Sequence, residues 1–252
     1  MAGAGSDGPL PSWQHDLVPA SPPPRALVFD VMGTVVDDAG GLRRATVEVL
    51  TRRGDDEQAA LGVATGTVER LRALLGEVSG SRRAWAPHRE LRRVAIREAV
   101  AAAGLAPLDT DDEDELSGVV HRFDPWPDSA AGLARLRERH LVVALSNADP
   151  AELAGFSLHG GLAWHLALST RPSRVFKPDP RAYGVAVEAL ELEPGAIMKV
   201  AAHVWDLRGA ARLGLRTCYV RRPGEDPPPD GEFELVVDDL GELADVLGTG
   251  SA

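Results

Sequence analysis

Short apolar runs alternate with amphipathic stretches along the second half of the chain. The runs have the length of buried strands, and the stretches between them repeat apolar residues at helical spacing. Strands that alternate with helices indicate βα units, so the pattern predicts a Rossmann-like, doubly wound parallel sheet of the α/β class. The predicted strands are a first one that ends at Asp30, then 141–145, 166–169, 197–201, 217–220 and 235–237, and the predicted helices are 130–139, 150–158, 180–190 and 207–213.

A long segment between the first two strands has helical spacing only. Residues 41–54 and 63–104 repeat Ala, Leu and Val among Arg and Glu, with almost no strand-like alternation. We therefore expect a helical cap over residues 38–123, inserted after the first strand. The α/β core would then consist of residues 25–37 and 124–252.

Two further segments have a distinctive composition. Residues 1–24 are rich in Gly, Ser and Pro, which predicts a flexible N-terminal tail. The acidic stretch 109–115 lacks the glycine and the terminal glutamate of a calcium-binding loop. Because acidic residues favour the start of a helix, we interpret that stretch as a solvated helix start.

The composition narrows the classes of function. The formal net charge of −11 disfavours binding to nucleic acid or to an anionic membrane. No apolar stretch approaches the roughly 20 residues that cross a bilayer, and the N-terminus lacks a signal-peptide pattern. We expect a cytoplasmic protein whose partner is a small molecule. The single cysteine, Cys218, excludes internal disulfides and is predicted to be buried.

Polar residues follow four of the predicted strands or the loops after them. They are Asp30 with Thr34, Ser146 with Asn147, Lys177, and Asp206. Ligands of an open parallel sheet bind at the carboxyl ends of its strands, so these side chains are placed to meet there. Asp30 is the candidate nucleophile.

The residue two positions after Asp30 indicates which leaving group this site can handle. An alkoxide that leaves a phosphate ester must be protonated, which requires a second acid, whereas a halide leaves without a proton. Position 32 is Met32. The sequence therefore favours displacement of a stable anion over phosphate ester hydrolysis.

These segments resemble the four motifs of the haloacid dehalogenase superfamily, and within it the L-2-haloacid dehalogenases, the type II enzymes. The similarity runs from about residue 26 to 225 and is weakest across the insert. The matching segments are Phe-Asp-x-x-Gly-Thr at 29–34, Leu-Ser-Asn at 145–147, Phe-Lys-Pro-Asp-Pro-Arg-x-Tyr at 176–183 and Val-Ala-Ala-His-x-Trp-Asp-Leu at 200–207.

The resemblance implies an activity and roles for the catalytic residues. It implies hydrolysis of short (S)-2-haloacids to (R)-2-hydroxyacids, with Asp30 attacking C2 and forming an ester that water then cleaves. Lys177 would keep Asp30 ionised, and Thr34 would orient the same carboxylate. Asp206 would prepare the hydrolytic water.

The resemblance also implies the residues around the substrate. Ser146 would receive the substrate carboxylate, and Asn147 would lie near the departing halide. Tyr183 would position the lysine and the substrate, and Trp205 would form part of the pocket wall. The family implies a homodimer, and it implies neither a cofactor nor a metal.

The sequence departs from the family pattern at three places. His203 stands where the fourth motif often has Asn, and a titratable ring there could still hydrogen-bond the water or the substrate. Met32 replaces the usual Tyr and changes the shape of the pocket. Val68 lies near the sequence position at which the family has the arginine that takes up the halide. Arg70 or Arg72, close by on the same predicted helix, would have to replace that arginine.

Other functions remain open on the sequence. One is a hydrolase that acts on a different 2-substituted acid, for example by opening a strained ring. Another is a magnesium-dependent phosphatase, because Asp30 and Asp206 could bind a hard cation through oxygen. A third is a dehalogenase-like binding protein without catalytic activity. The observation that would best distinguish these alternatives is which arginine of the cap, if any, points toward Asp30.

Overall fold

A computed structural model describes residues 22–249, so most of the predicted tail, 1–24, lies outside the described residues. Within them, six parallel strands form one sheet with the order β3-β2-β1-β4-β5-β6. The strands are β1 (Ala26–Phe29), β2 (Leu141–Ser146), β3 (Leu166–Ser169), β4 (Ile197–Ala201), β5 (Arg216–Val220) and β6 (Leu235–Val237). This order is that of a doubly wound Rossmann-like sheet, which confirms the predicted fold class.

The central strand β1 is buried on both faces. Its residues alternate between two apolar clusters: Leu27 and Phe29 pack on one side of the sheet, and Ala26 and Val28 on the other. Helices cover both faces, which explains the continuous apolar runs in the sequence. These helices are α5 (Ser129–Leu136), α6 (Pro150–Gly160), α7 (Pro180–Leu190), α8 (Val204–Ala211) and α9 (Leu240–Thr249).

Five α-helices lie between β1 and β2, and we call the first four of them the cap. These four are α1 (Asp38–Arg52), α2 (Glu57–Ser79), α3 (His88–Ala102) and α4 (Thr110–Gly118). The helical stretch predicted over 63–104 is divided between α2 and α3, because Gly80 caps the end of α2 and Pro87 precedes α3. The acidic stretch does start a helix, since the carboxylate of Asp109 accepts the backbone N–H of Asp112 at 2.8 Å.

Helix α8 begins three residues earlier than the sequence predicts. It starts at Val204 with His203 as its N-cap residue, so Asp206 lies in the first turn and is not the cap. Cys218 is buried in β5, as predicted. Within residues 22–249 no helix is long and apolar enough to cross a membrane.

The sheet order fixes where a ligand can bind. The connection leaving β1 and the connection leaving β4 run in opposite directions across the sheet, so a crevice opens between the carboxyl ends of these two neighbouring strands. Asp30 follows β1 and His203 follows β4. The cap helices α2 and α3 contribute residues to a cavity at this crevice.

Candidate active site

The carboxylate of Asp30 is buried and held in one orientation. It lies directly after β1, where the backbone N–H of Asp30 donates to the carbonyl of Val200 at 2.9 Å. Thr34 Oγ1 donates to Asp30 Oδ2 at 2.9 Å and accepts the backbone N–H of Ala202 at 2.9 Å. Thr34 therefore ties the carboxylate to the end of β4.

The turn between Asp30 and Thr34 requires a glycine. Gly33 has a φ of +77°, and a Cβ there would lie 2.8 Å from the ring of His203. Both the backbone conformation and the close approach of the ring exclude a side chain. The glycine of the first motif thus makes room for a residue of the fourth.

Lys177 bridges two buried carboxylates. Its Nζ donates to Asp30 Oδ1 at 2.6 Å and to Asp206 Oδ2 at 2.8 Å. Burial alone would raise the pKa of Asp30, but the charge of Lys177 and the hydrogen bond and charge of His203 hold it well below its ordinary value. Asp30 is accordingly ionised at neutral pH, as a nucleophile must be.

Tyr183 acts on Asp206 and does not border the cavity. Its hydroxyl donates to Asp206 Oδ1 at 2.7 Å, and its side chain is fully buried on α7. Burial, together with Asp206, raises the pKa of Tyr183, so the phenol remains a donor. Tyr183 therefore binds one carboxylate oxygen of Asp206, and Lys177 binds the other. Asp206, held by Tyr183, positions the ammonium group of Lys177 against Asp30.

His203 is a second cation on the carboxylate of Asp30. Its Nδ1 lies 2.9 Å from Asp30 Oδ2, and its Nε2 lies 3.4 Å from Glu225 Oε1. Burial opposes the charged ring, but the bonds to Asp30 and Glu225 raise the pKa of His203 to about 10. His203 is an imidazolium at neutral pH, so it donates to Asp30. Nearby, burial raises the pKa of Asp38 to about 6 against the charge of His203.

Lys199 is a site residue that the motifs did not reveal. Its Nζ is fully buried 3.2 Å from Asp206 Oδ2, outside hydrogen-bond alignment, and has no hydrogen-bond partner among residues 22–249. Burial, aided by Lys177 and opposed by Asp206, lowers the pKa of Lys199 to about 8. One signal was available: the chain has only two lysines, and one of them interrupts the apolar run of β4.

Lys199→Met is expected to stabilise the protein more at pH 7 than at pH 10. A lysine whose pKa falls from 10.5 to about 8 on folding penalises the folded state below pH 8, and this penalty disappears as the pH rises to 10.5. The difference in unfolding free energy between variant and wild type should therefore change by up to about 3 kcal/mol across this range. Urea unfolding at both pH values measures it, and a difference that is constant with pH would contradict it.

A cavity of about 480 Å³ lies between Asp30 and the cap. Of the residues proposed from the sequence to touch the substrate, it is bordered by Met32, Asn147, His203, Trp205 and Arg72. Its apolar wall consists of Leu42, Val68, Leu71 and Leu75 from the cap and of Val120 and Phe123 from the segment after α4. A small apolar chain with a polar end fits such a wall.

Three residues that the sequence assigned to the substrate do not border this cavity. Ser146 is fully buried, and its Oγ accepts the backbone N–H of Ala148 at 3.1 Å. Tyr183 binds Asp206, as described above. Arg70 is paired with Glu98 and, at 2.9 Å, with Glu77, so those ion pairs hold it away from the cavity. The structure thus does not bring these three side chains to the cavity, and their contact with substrate stays a prediction.

Arg72 and Asn147 are polar groups that do face the cavity. Arg72 borders it and makes no ion pair within the described part of the chain. The side-chain oxygen of Asn147 accepts the backbone N–H of Lys177 at 2.9 Å and the hydroxyl of Thr170 at 3.2 Å. Since the oxygen is occupied, the amide NH₂ of Asn147 is the group left to donate to a ligand.

Comparison with known proteins agrees with this geometry. A sequence model of the haloacid dehalogenase-like hydrolases matches residues 24–214, which is most of the chain. The chain belongs to the haloacid dehalogenase-like hydrolases. It is 30% identical over 203 residues to an (S)-2-haloacid dehalogenase of Pseudomonas sp. (strain YL), covering 79% of this chain and 84% of that protein.

Other members of this hydrolase family are similar over a greater length. The (S)-2-haloacid dehalogenase 4A of Burkholderia cepacia is 26% identical, with 88% of this chain and 93% of that protein covered. The crystal structure of a defluorinating L-2-haloacid dehalogenase superposes with a TM-score of 0.83 at 29% identity, covering 89% of this chain and 95% of the other. The resemblance seen in the motifs therefore extends through the cap.

The donor set of this haloacid dehalogenase-like hydrolase does not suit a divalent metal. A hard cation between Asp30 and Asp206 would need free carboxylate oxygens. Lys177 Nζ lies between these two carboxylates, and a second ammonium, Lys199, lies beside Asp206 Oδ2. The position that would carry a second acid is Met32. Ammonium groups thus occupy the place a metal would take.

Proposed function

We propose that this protein is a cofactor-independent hydrolase that converts short (S)-2-haloacids to (R)-2-hydroxyacids through an ester on Asp30. The observation that carries the proposal is a buried carboxylate kept ionised by Lys177, 2.6 Å away, at the base of an apolar cavity and with Met32 in place of a second acid. The names of the relatives, which are (S)-2-haloacid dehalogenases, support the substrate class.

The first half-reaction is an in-line displacement at C2. An oxygen of Asp30 forms a bond to C2, and the carbon–halogen bond breaks with its electron pair leaving on the halide. Inversion at C2 turns an (S)-haloacid into an (R)-oxygen ester. No proton is transferred, so the absence of an acid at Met32 costs nothing.

The anionic substrate enters a cavity whose polar groups attract it. Arg72 supplies the cap cation, since its guanidinium has no acidic partner within residues 22–249. The NH₂ group of Asn147 offers a hydrogen bond beside Lys177. The apolar wall accepts the alkyl chain of the substrate.

The second half-reaction is hydrolysis of the ester, and the loss of the Asp30 charge in the first half-reaction prepares His203 for it. Esterified Asp30 no longer carries the negative charge that raises the pKa of His203, so the ring releases its proton more easily. Neutral His203 can then take a proton from water that attacks the Asp30 carbonyl carbon. The ester's carbonyl–oxygen bond breaks, and the departing alkoxide takes the proton back from His203 and leaves as the hydroxyacid. Asp30 regains its carboxylate with one oxygen from water, and the second proton of that water passes to His203, which becomes an imidazolium again.

Incubation with (S)-2-chloropropionate should release chloride and (R)-lactate in equal amounts, and the (R)-chloro acid should be inert. The mechanism uses no metal, so a chelator should leave the rate unchanged, and p-nitrophenyl phosphate with Mg²⁺ should not be hydrolysed. Absence of halide release from chloroacetate, bromoacetate and the (S)-2-chloro and (S)-2-bromo acids of three and four carbons would refute the proposal. Adducts of other 2-substituted acids on Asp30, sought by mass spectrometry, would then separate a different hydrolase from a binding protein. Residence in the cytoplasm and the homodimer stay predictions.

A further inference from the structure

A buried histidine on the cap borders the same cavity and has no role in the proposed two-step mechanism. His88 is the first residue of α3, and only 3% of its surface is exposed. One helical turn later, Arg92 is equally buried and also borders the cavity. The residues lie at i and i+4, so they share one face of the helix.

The contacts of Arg92 fix the proton of His88. Arg92 Nη1 donates to Glu152 Oε1 at 2.8 Å and to the carbonyl of Ser117 at 2.7 Å, so its charge is balanced and its position set. Arg92 Nη2 lies 2.9 Å from His88 Nδ1. A guanidinium can only donate, so Nδ1 must accept, and the single proton of the neutral ring must be on Nε2.

The ring stays neutral at every ordinary pH. Burial, together with the charge of Arg92, lowers the pKa of His88 to about 3, against the pull of Glu152. Glu152 itself is ionised, because Arg92 and His88 lower its pKa against the effect of burial. His88 is therefore a fixed N–H donor on the lining of the cavity, and its side-chain contact with Arg92 is made by Nδ1, so Nε2 makes no hydrogen bond to residues 22–249.

We propose that His88 Nε2–H binds the departing halide, with Arg92 holding the ring in the donor tautomer; this rests on the proposed dehalogenation. On the cap side of the cavity His88 and Arg92 lie among apolar residues such as Leu71 and Leu75, with Val68 near the position expected to hold a halide-binding arginine. A halide leaving C2 into that wall needs a donor, since an unpaired anion in an apolar site is costly. As the carbon–halogen bond breaks, the new anion accepts the Nε2–H hydrogen bond and no proton moves.

A donor to the leaving group has a recognisable kinetic signature. Hydrogen-bond acceptance rises from bromide to chloride to fluoride, so the loss on removing the donor must follow the same order. A residue that only shapes the pocket would change all three substrates alike. His88→Phe keeps a ring and removes the donor, whereas His88→Gln keeps a donor on a flexible chain.

The test compares these variants on (S)-2-fluoro-, 2-chloro- and 2-bromopropionate. For His88→Phe we expect kcat/KM to fall at least about 30-fold for fluoride release, about 10-fold for chloride and less than about 3-fold for bromide. His88→Gln should recover part of the fluoride and chloride losses. His159→Phe, the same exchange on the exposed surface of α6, should behave as wild type.

The outcomes separate this inference from the proposed function. If the wild-type protein releases none of the halides, the dehalogenase proposal fails first. If it releases them and His88→Phe loses activity equally for all three, or loses none, the halide-binding role of His88 is wrong. A melting temperature for each variant shows whether the fold is kept. Should His88→Phe not fold, the His88→Gln series alone decides, because a weakened donor still predicts a graded loss.

Discussion

Replacing Asp30 by Asn is expected to lower kcat/KM for (S)-2-haloacids by at least about 10⁴-fold, because a neutral amide cannot displace a halide. The fold should survive the change. Thr34 and His203 can still bond the amide oxygen, and Lys177 keeps Asp206 at 2.8 Å. The loss should therefore appear in kcat, with little change in the urea midpoint.

A single turnover in H₂¹⁸O identifies the same residue independently. With enzyme in excess over substrate, water attacks the ester at Asp30, so ¹⁸O enters the carboxylate of Asp30 and not the first hydroxyacid formed. Mass spectrometry of the peptide that contains Asp30 measures this. Asp124→Asn, an equal change at an exposed position on the surface, should keep full activity. Label in the product without label in Asp30 would show that water attacks C2 directly.

Much of the fold could be predicted from the sequence because the sheet is buried on both faces. Continuous apolar runs are the signature of such strands, and each of the predicted runs is a strand of the sheet. The division of the predicted helical stretch 63–104 into α2 and α3 could not be predicted, because the helical spacing of apolar residues continues on both sides of the break. Gly80 and Pro87 were the only local indications, and neither excludes a continuous pattern.

The site was predictable where the chain carries a motif at a strand end. Asp30, Lys177 and Asp206 meet in the structure because their strands or loops end at one crevice. Charge states could not be predicted in this way. The imidazolium of His203 depends on Glu225, which approaches from a distant loop, and the neutral ring of His88 depends on its burial at the start of α3 and on the charge of Arg92. Such effects arise from tertiary contacts that no spacing encodes.

Lys177→Met should inactivate the enzyme by raising the pKa of Asp30, the proposed nucleophile. Without the ammonium, Asp30 and Asp206 would face each other as buried like charges, with His203 and Lys199 as the remaining cations. Breaking a buried ion pair costs about 3–5 kcal/mol, so we expect a clear fall in the free energy of unfolding. At pH 7 we expect kcat/KM to fall by at least about 100-fold.

The pH dependence distinguishes loss of the nucleophile's charge from loss of structure. When the pKa of Asp30 rises, the acid limb of the kcat/KM profile moves to higher pH, so the deficit of Lys177→Met should shrink as the pH increases. Arg181→Met removes a cation from the same segment whose partner is the neighbouring Asp179 at the surface, and its profile should match the wild type. Parallel profiles for Lys177→Met and wild type would mean that Lys177 holds the structure together but does not set the charge of Asp30. In that case the low pKa of the nucleophile would depend on His203, the other cation in contact with its carboxylate.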